Sequence, residues 1–420
     1  MRMLTRLFYY ISAYLRVHLT THSLQPAVPR KWARPATRSG SLAGVPVSLN
    51  DSSLGYPVFT NAPVPNDAPI VRLHHDVGAI PYVKTNVPLT LYSYETTNDV
   101  FGVTENPHKQ SYSPGGSSGG ESDPLTFWSS RVGIGTRCTA TVPGQGVDGI
   151  QSPMAKTLDD FETLWRAVVS LSWKEVHLPL DRPIRWGVLW DDGVVAPSPT
   201  CLRALKTAGR NSPRPYEGLQ IASQLLFAGR SKLFSEAFHT FETKPLGIAP
   251  ALCALTLPRF VMKIYAWYLR YIRRDPVYAG LVENFHEKTI QESRGSSGDN
   301  GVDFILTIPN TLPAVPHGGM RHGWKACGYA GLFNVLDYSA GVMPITRINK
   351  IGDKLPPWFR ARNAIERSNH RIYNSEAMDG LPVGVQVVGR RLDEERDLEG
   401  MKLIHGLMAD AGLTYQGIPL

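Results

Sequence analysis

The chain has 420 residues, enough for one large α/β domain or two smaller ones, and its 42% hydrophobic and 19% charged content describes an ordinary soluble globular protein. Seven of the eight net positive charges lie between Met1 and Asn50, which holds six arginines, one lysine and no Asp or Glu. A basic surface for nucleic acid would have to sit there, and no basic groove interleaved with aromatics appears elsewhere, so no nucleic-acid partner is expected. Cys138, Cys201, Cys253 and Cys327 are scattered without CxxC spacing. That excludes a zinc ribbon or a disulfide scaffold and fits a reducing, cytoplasmic compartment.

In chain order, residues 1–40 form an atypical basic segment. Leu4, Leu7, Phe8, Ile11, Tyr14 and Leu15 recur at helical spacing, bordered by Arg2, Arg6 and Arg16. The pattern suits a mitochondrial presequence, a helix lying on a membrane surface, or an amphipathic helix packed on the domain. No secretory signal is expected, and no transmembrane span: the most apolar run, from Ala251, is interrupted by Pro258, Arg259 and Lys263.

Residues 41–420 read as a single α/β domain in which helices alternate with apolar strands. GVPVSL, from Gly44, predicts a short strand. A helix follows from Ala68, with Ile70, Val71, Leu73 and Val77 on one face and Gly78 ending it. Ala79 to Val83 has a buried-strand pattern. SPGGSSGGES is a loop, and a Gly/Ser tract is either a flexible linker or a backbone that must approach something closely. A helix is expected from Thr157, its N-cap, with Asp159 and Asp160 in the first turn. Strands are expected from Ile184, Val302 and Leu381, and a final helix from Glu394.

The stretch PYVKTNVPLTLYSYETTNDVFGVTENPHKQSYSPGGSSGGES, residues 81–122, resembles the amidase signature family, in particular its fungal acetamidase-like members. GVPVSL at 44–49 resembles the segment leading to that family's catalytic lysine. SPMAKTLDDFETLWRAV at 152–168 and IRWGVLWDDGVVAPSP at 184–199 are similar to further blocks, as are GYAGLFNVLDYSAGVMPIT at 328–346 and DGLPVGVQVVGRRLDEERDLEGMKLI at 379–404. Only the first 40 residues fall outside the resemblance.

The resemblance implies an amidase signature fold, a mixed β-sheet core covered by helices on both faces. It implies hydrolysis of a carboxylic amide to acid and amine through an acyl-enzyme, with a small-molecule amide as substrate, no metal or organic cofactor, and a homodimer as one assembly state. The family's catalytic unit is Ser–Ser–Lys: a neutral lysine takes a proton through a relay serine, which follows a cis peptide bond, from a nucleophilic serine. Carried over, Ser117 is the relay serine, after a cis bond from Gly116, and Leu91 is a substrate contact. At the family's spacing the nucleophile position falls on Thr141.

This chain departs from the pattern at two of the three positions. The nucleophile loop reads GTRCTAT from Gly135 to Thr141, where the family has GTDIGGS. Arg137 and Cys138 replace Asp and Ile, Thr139 and Ala140 replace glycines, and Thr141 keeps a hydroxyl but adds a crowding methyl. Positions 138–141, namely Cys138, Thr139, Ala140 and Thr141, are the oxyanion-hole candidates. After GVPVSL the family has Lys-Asp; here stands Asn50-Asp51, and an asparagine is no base. The family pattern is also interrupted after Thr141 and after Ala208. Lys84 is the first lysine to consider as a replacement base. His74 and His75 fall on the helix before it, and His317, in VPHGG, on a loop after a strand. The expectation is an impaired amidase; the alternatives are an inactive amidase-like binding protein and a membrane-surface protein anchored by its basic N-terminal helix.

Overall fold

A computed structural model describes residues 40–60, 66–127, 129–139, 148–168, 173–178, 184, 186–208, 258–283 and 303–418. The basic N-terminal helix expected in residues 1–40 lies outside them, save for Gly40, as do Ala140 and Thr141. Among the described residues the strands form two mixed four-stranded sheets and one two-stranded ribbon. No helix among them is long and apolar enough to cross a membrane.

The first sheet is built from β1 (Pro46–Asn50), β2 (Ile80–Thr85), β5 (Val132–Thr139) and β6 (Asp148–Ala155), in the order β2-β1-β5-β6. Between β2 and β5 comes the ribbon of β3 (Thr97–Asn98) and β4 (Gly102–Val103). β1 runs parallel to both its neighbours, and β6 returns antiparallel along β5. Val47 and Leu49 of β1 turn to a core with Val132, Ile134, Leu164 and Ala167. Period-2 alternation then sends Ser48 and Asn50 to the opposite face. The parallel register places Asn50 beside Thr85 and brings the carboxyl ends of β1 and β2 to one edge. In open α/β sheets that edge is where ligands bind.

Two helices cover the apolar face of this sheet. α1 (Pro69–Asp76) begins with proline at its first position, and Gly78, with φ of 85°, turns the chain into β2. The expected face needs one correction: Leu73 is 43% exposed, while His74 is fully buried. His74 takes the core slot because its Nδ1 bonds the Ile70 carbonyl one turn earlier, at 2.7 Å. α2 (Ser122–Thr126) follows the glycine-rich loop, and α3 (Leu158–Val168) follows β6. Thr157 caps α3 as expected, its Oγ1 accepting the Asp160 N–H at 3.1 Å. Among the described residues β2 is an edge strand, and Val83, at the end of the run expected to be buried, is exposed, as is Lys84 after it.

The second sheet has the order β7-β8-β10-β9, from β7 (Trp186–Val188), β8 (Phe304–Thr307), β9 (Ala340–Arg347) and β10 (Pro382–Val388). Val188, Phe304, Leu306, Val385 and Val387 form its core. Around it lie α4 (Pro199–Ala208), α7 (Gly328–Leu336) and α9 (Glu394–Asp410). The remaining α-helices among the described residues are α5 (Arg259–Trp267), α6 (Pro276–Glu283) and α8 (Ala364–His370). Three acidic residues in the first turn of α9 complement its dipole. Arg203 of α4 grips both carboxylate oxygens of Asp353 at 2.8 Å, fixing the helix to the turn after β9.

Leu306 is fully buried, with Val188 and Val387 as its partners on the flanking strands. Leu306→Ala is expected to cost about 2–5 kcal/mol through lost burial and a residual cavity. Urea denaturation should show a lower midpoint at unchanged slope; a loss below about 1 kcal/mol would contradict this packing.

Candidate active site: a serine pair facing an asparagine

The glycine-bounded loop is clamped on both sides and is no flexible linker. The Gly116–Ser117 peptide is cis, as the family resemblance implies. A Cβ on Gly116 would lie 2.4 Å from the Ser93 carbonyl oxygen and 2.7 Å from the Glu95 nitrogen, so only glycine fits. Thr96 Oγ1 holds the loop from below, donating to the Gly115 carbonyl and accepting the Gly119 N–H, each at 3.0 Å. The second sheet reaches the same loop. Ser113 N–H donates to the Val315 carbonyl at 2.8 Å, and the Glu95 carboxylate accepts the N–H groups of Gly318 and Met320, each at 2.8 Å.

The clamp presents both serine hydroxyls to the carboxyl end of β1. Asn50 Nδ2 donates to Ser118 Oγ at 3.0 Å and to Thr136 Oγ1 at 3.3 Å. The Thr136 N–H donates to Ser118 Oγ at 2.7 Å. Thr136 Oγ1 lies 3.0 Å from Ser117 Oγ and 3.3 Å from Ser118 Oγ. Asn50, Ser117, Ser118 and Thr136 thus form one partly buried polar cluster. Its only nitrogen side chain is a carboxamide, which neither gains nor loses a proton at ordinary pH.

A fully buried carboxyl group lies beneath this cluster. Glu121, three residues after Ser118, accepts hydrogen bonds from Ser48 Oγ and, at 2.5 Å, from Thr85 Oγ1. Thr85 Oγ1 also lies 3.4 Å from Asn50 Oδ1, so Glu121 and Asn50 share a neighbour. Room for Glu121 comes from Gly133 of β5: a Cβ there would stand 2.3 Å from its Oε2. Burial pushes the Glu121 pKa above its ordinary value, against the opposing hydrogen bonds from Ser48 and Thr85.

Of the expected site residues, Ser117 stands in the cluster, and Asn50, which the resemblance sets in place of a lysine, meets it through Ser118. Leu91 is half-buried on the turn Leu89–Leu91 with φ of 62° and takes no part in the polar cluster. The GTRCTAT segment, expected as a loop, is strand as far as Thr139: Cys138 and Thr139 pair with Gly149 and Asp148 in the β5–β6 ladder. β-branched and other side chains at positions where the family has glycine favour continued strand. Lys84 is exposed on β2, with Nζ donating to Ser52 Oγ at 2.6 Å, so it is tied outside the cluster. His317 lies with its Nδ1 3.9 Å from the Glu95 carboxylate, and its backbone N–H donates to the Ser111 carbonyl. Among the described residues, no group of three or more His, Cys, Asp and Glu side chains is placed to hold a metal ion.

Sequence reasoning passed over Ser48, Thr85, Glu121 and Thr136, and it gave Ser118, the second serine between the glycines, no role of its own. Ser48 and Asn50 carry a legible signal: polar residues two apart in an otherwise apolar strand mark one face as functional. Thr85, Glu121 and Thr136 gain their places from register and from a distant glycine.

The raised pKa of Glu121 fixes the sign of a pH dependence. The fold favours its protonated form, so its contribution is complete below about pH 4.5 and is lost as pH rises through the folded value. Glu121→Gln keeps a neutral group at every pH. The unfolding free energy of wild type minus that of the variant should therefore fall between pH 4.5 and pH 8. A difference that grows with pH would show that the ionised form is the one stabilised.

Comparison with known proteins agrees with this architecture. A family profile described as Amidase matches residues 16–138. Amidase 1 of Gibberella moniliformis is 27% identical, over 88% of this chain and 81% of that protein. Acetamidase of Emericella nidulans is 26% identical over 86% and 76% of the two chains, and fatty-acid amide hydrolase 1 of Sus scrofa is 27% identical over 89% and 77%. A solved fatty acid amide hydrolase superposes with a TM-score of 0.61 at 21% identity, covering 88% of this chain and 74% of its own, and a solved amidase with a TM-score of 0.55 at 18% identity, covering 89% and 86%. The ordered blocks, the profile and the relatives agree in kind: the chain is similar to amidases along most of its length.

Proposed function

We propose that this chain is an amidase-type hydrolase for small-molecule carboxylic amides whose turnover is impaired. Relatives named amidase, acetamidase and fatty-acid amide hydrolase support the reaction class. In this reading Ser117 is the relay serine and Thr141 stands at the nucleophile position. Cys138, Thr139, Ala140 and Thr141 are the oxyanion-hole candidates and Leu91 the substrate contact that the resemblance implies. The acyl-enzyme route uses no metal or organic cofactor.

One observation carries the impairment. The nitrogen that meets the serine pair is the carboxamide Nδ2 of Asn50, 3.0 Å from Ser118 Oγ. A relay serine passes on the nucleophile's proton only if it can hand its own proton to a base, and a carboxamide is none. The engagement of Cys138 and Thr139 in the β5–β6 ladder adds a second obstacle, because oxyanion donors must be free to turn toward substrate. The same observation favours, as second reading, a protein that binds ligand at this site without turnover.

General-base assistance contributes about 10² to 10⁴ in rate. Purified chain is therefore expected to hydrolyse acetamide at least about 10²-fold more slowly than an intact relative assayed alongside, with no fluorophosphonate labelling of Thr141. Asn50→Lys alone should not restore the rate, because the side chains at 139 and 140 remain. Fast hydrolysis that fluorophosphonate blocks would overturn the reading.

A further inference from the structure

The hydrogen bonds around Ser117 can be counted to a single answer. Ser118 Oγ has two acceptor sites and one hydrogen. The Thr136 N–H at 2.7 Å and one Asn50 N–H at 3.0 Å fill both acceptor sites. Its hydrogen therefore points to its remaining neighbour, Thr136 Oγ1, at 3.3 Å. Thr136 Oγ1 now receives this hydrogen and the second Asn50 N–H, at 3.3 Å, so it too is full as an acceptor. Its own hydrogen goes to Ser117 Oγ at 3.0 Å. Ser117 accepts from within the cluster, and its own hydrogen has no acceptor there.

The facing of the Asn50 amide sets this direction. Its Oδ1 lies on the side of Thr85 Oγ1, at 3.4 Å, and Thr85 rests on Glu121. The donor end thereby turns to Ser118 and Thr136. A neutral amine at this point would offer a lone pair, and the same hydroxyls would line up toward it. The carboxamide offers two hydrogens instead, and the chain of hydroxyls runs the other way.

We propose that Asn50 makes the serine cluster a donor-terminated array in which Ser117 holds a small carboxylate, rather than accepting a proton from a nucleophile. The inference rests on the reading that this chain is impaired in turnover, and it names the ligand class of the non-hydrolytic state. A carboxylate presents only acceptors, and an ionised acceptor makes the stronger hydrogen bond. A primary amide also brings N–H donors, and for these the array leaves only the second lone pair of Ser117 Oγ. The site therefore favours the acid over the amide, the reverse of the ranking needed for an amide substrate. No bond is made or broken.

The test uses the full chain at pH 7, with butanoate and butanamide as probes and ligand-observed NMR titration as readout. Wild type should bind butanoate at least about tenfold more tightly than butanamide. Ser117→Ala should cost about tenfold for butanoate and little for the amide. Asn50→Asp replaces the donor end with an acceptor, so the hydroxyls turn toward the new carboxylate and Ser117 becomes an acceptor. That variant should prefer butanamide. If Asn50→Asp does not fold, judged by circular dichroism, the Ser117→Ala arm decides alone. Equal or tighter binding of butanamide by wild type, or butanoate binding unchanged in Ser117→Ala, overturns the proposal. Appearance of butanoate in the butanamide samples would instead overturn the impaired-turnover reading, and it is scored separately from affinity.

Discussion

The carboxyl group of Glu121 is the constraint on which the site is hung. It is fully buried, and a buried carboxyl is costly unless it is bonded or protonated. Ser48 of β1 and Thr85 of β2 supply the bonds, and Gly133 of β5 supplies the space. One side chain thus ties three adjacent strands to the turn that follows the serine pair. Removing it would leave two buried hydroxyls without their acceptor, while any side chain larger than hydrogen at 133 would expel it. The positions of Ser117 and Ser118 follow from where Glu121 can sit. Gly116, against the backbone of Ser93 and Glu95, fixes the loop's other end.

That arrangement holds the scaffold without any contribution from a charged group at position 50. None of the contacts that hold the loop involves Asn50 as a charged group. The Glu121 bonds, the Thr96 bonds and the Glu95 bridge to Gly318 and Met320 are complete without a lysine. Asn50 itself is well accommodated: its two N–H groups find Ser118 and Thr136, and its carbonyl faces Thr85. A neutral side chain at this position therefore satisfies the fold. What holds the loop is thus distinct from what would do chemistry on it, in line with the general independence of fold and function.

Much of the fold was legible because its signals are local. The Thr157 cap, the acidic start of α9 and Gly78 after α1 each depend on a few neighbouring residues, and each appears where the sequence places it. Ser48 and Asn50 alternate with Val47 and Leu49, so the functional face of β1 could be read before the structure. Edge position could not: the apolar run before Lys84 reads as buried, yet β2 has a partner on one side only. Nor could the turn of His74 inward, which needs the Ile70 carbonyl, or the meeting of Glu121 with Gly133, which depends on the register of β5 against β1. Positions 135–139 were misread as a loop because the family's glycines make one there. Without those glycines this chain continues its strand against β6.

In the proposed reading, the residue at position 50 decides what the serine cluster can do. A lysine at this position would, like the asparagine, carry a terminal nitrogen. They differ in what the nitrogen offers. A neutral amine has a lone pair that can receive a proton; the carboxamide nitrogen has none available, since it is delocalised into the carbonyl. Hydroxyl groups take whichever direction their neighbours impose, so one residue at the end of β1 orders the hydrogens of Ser118, Thr136 and Ser117 in turn. The backbone N–H of Thr136, pointed at Ser118 and fixed by the strand, removes the remaining freedom. Proton direction in this cluster is a property of the chain of bonds rather than of Ser117 alone. A serine in the right place after a cis peptide does not by itself make a relay.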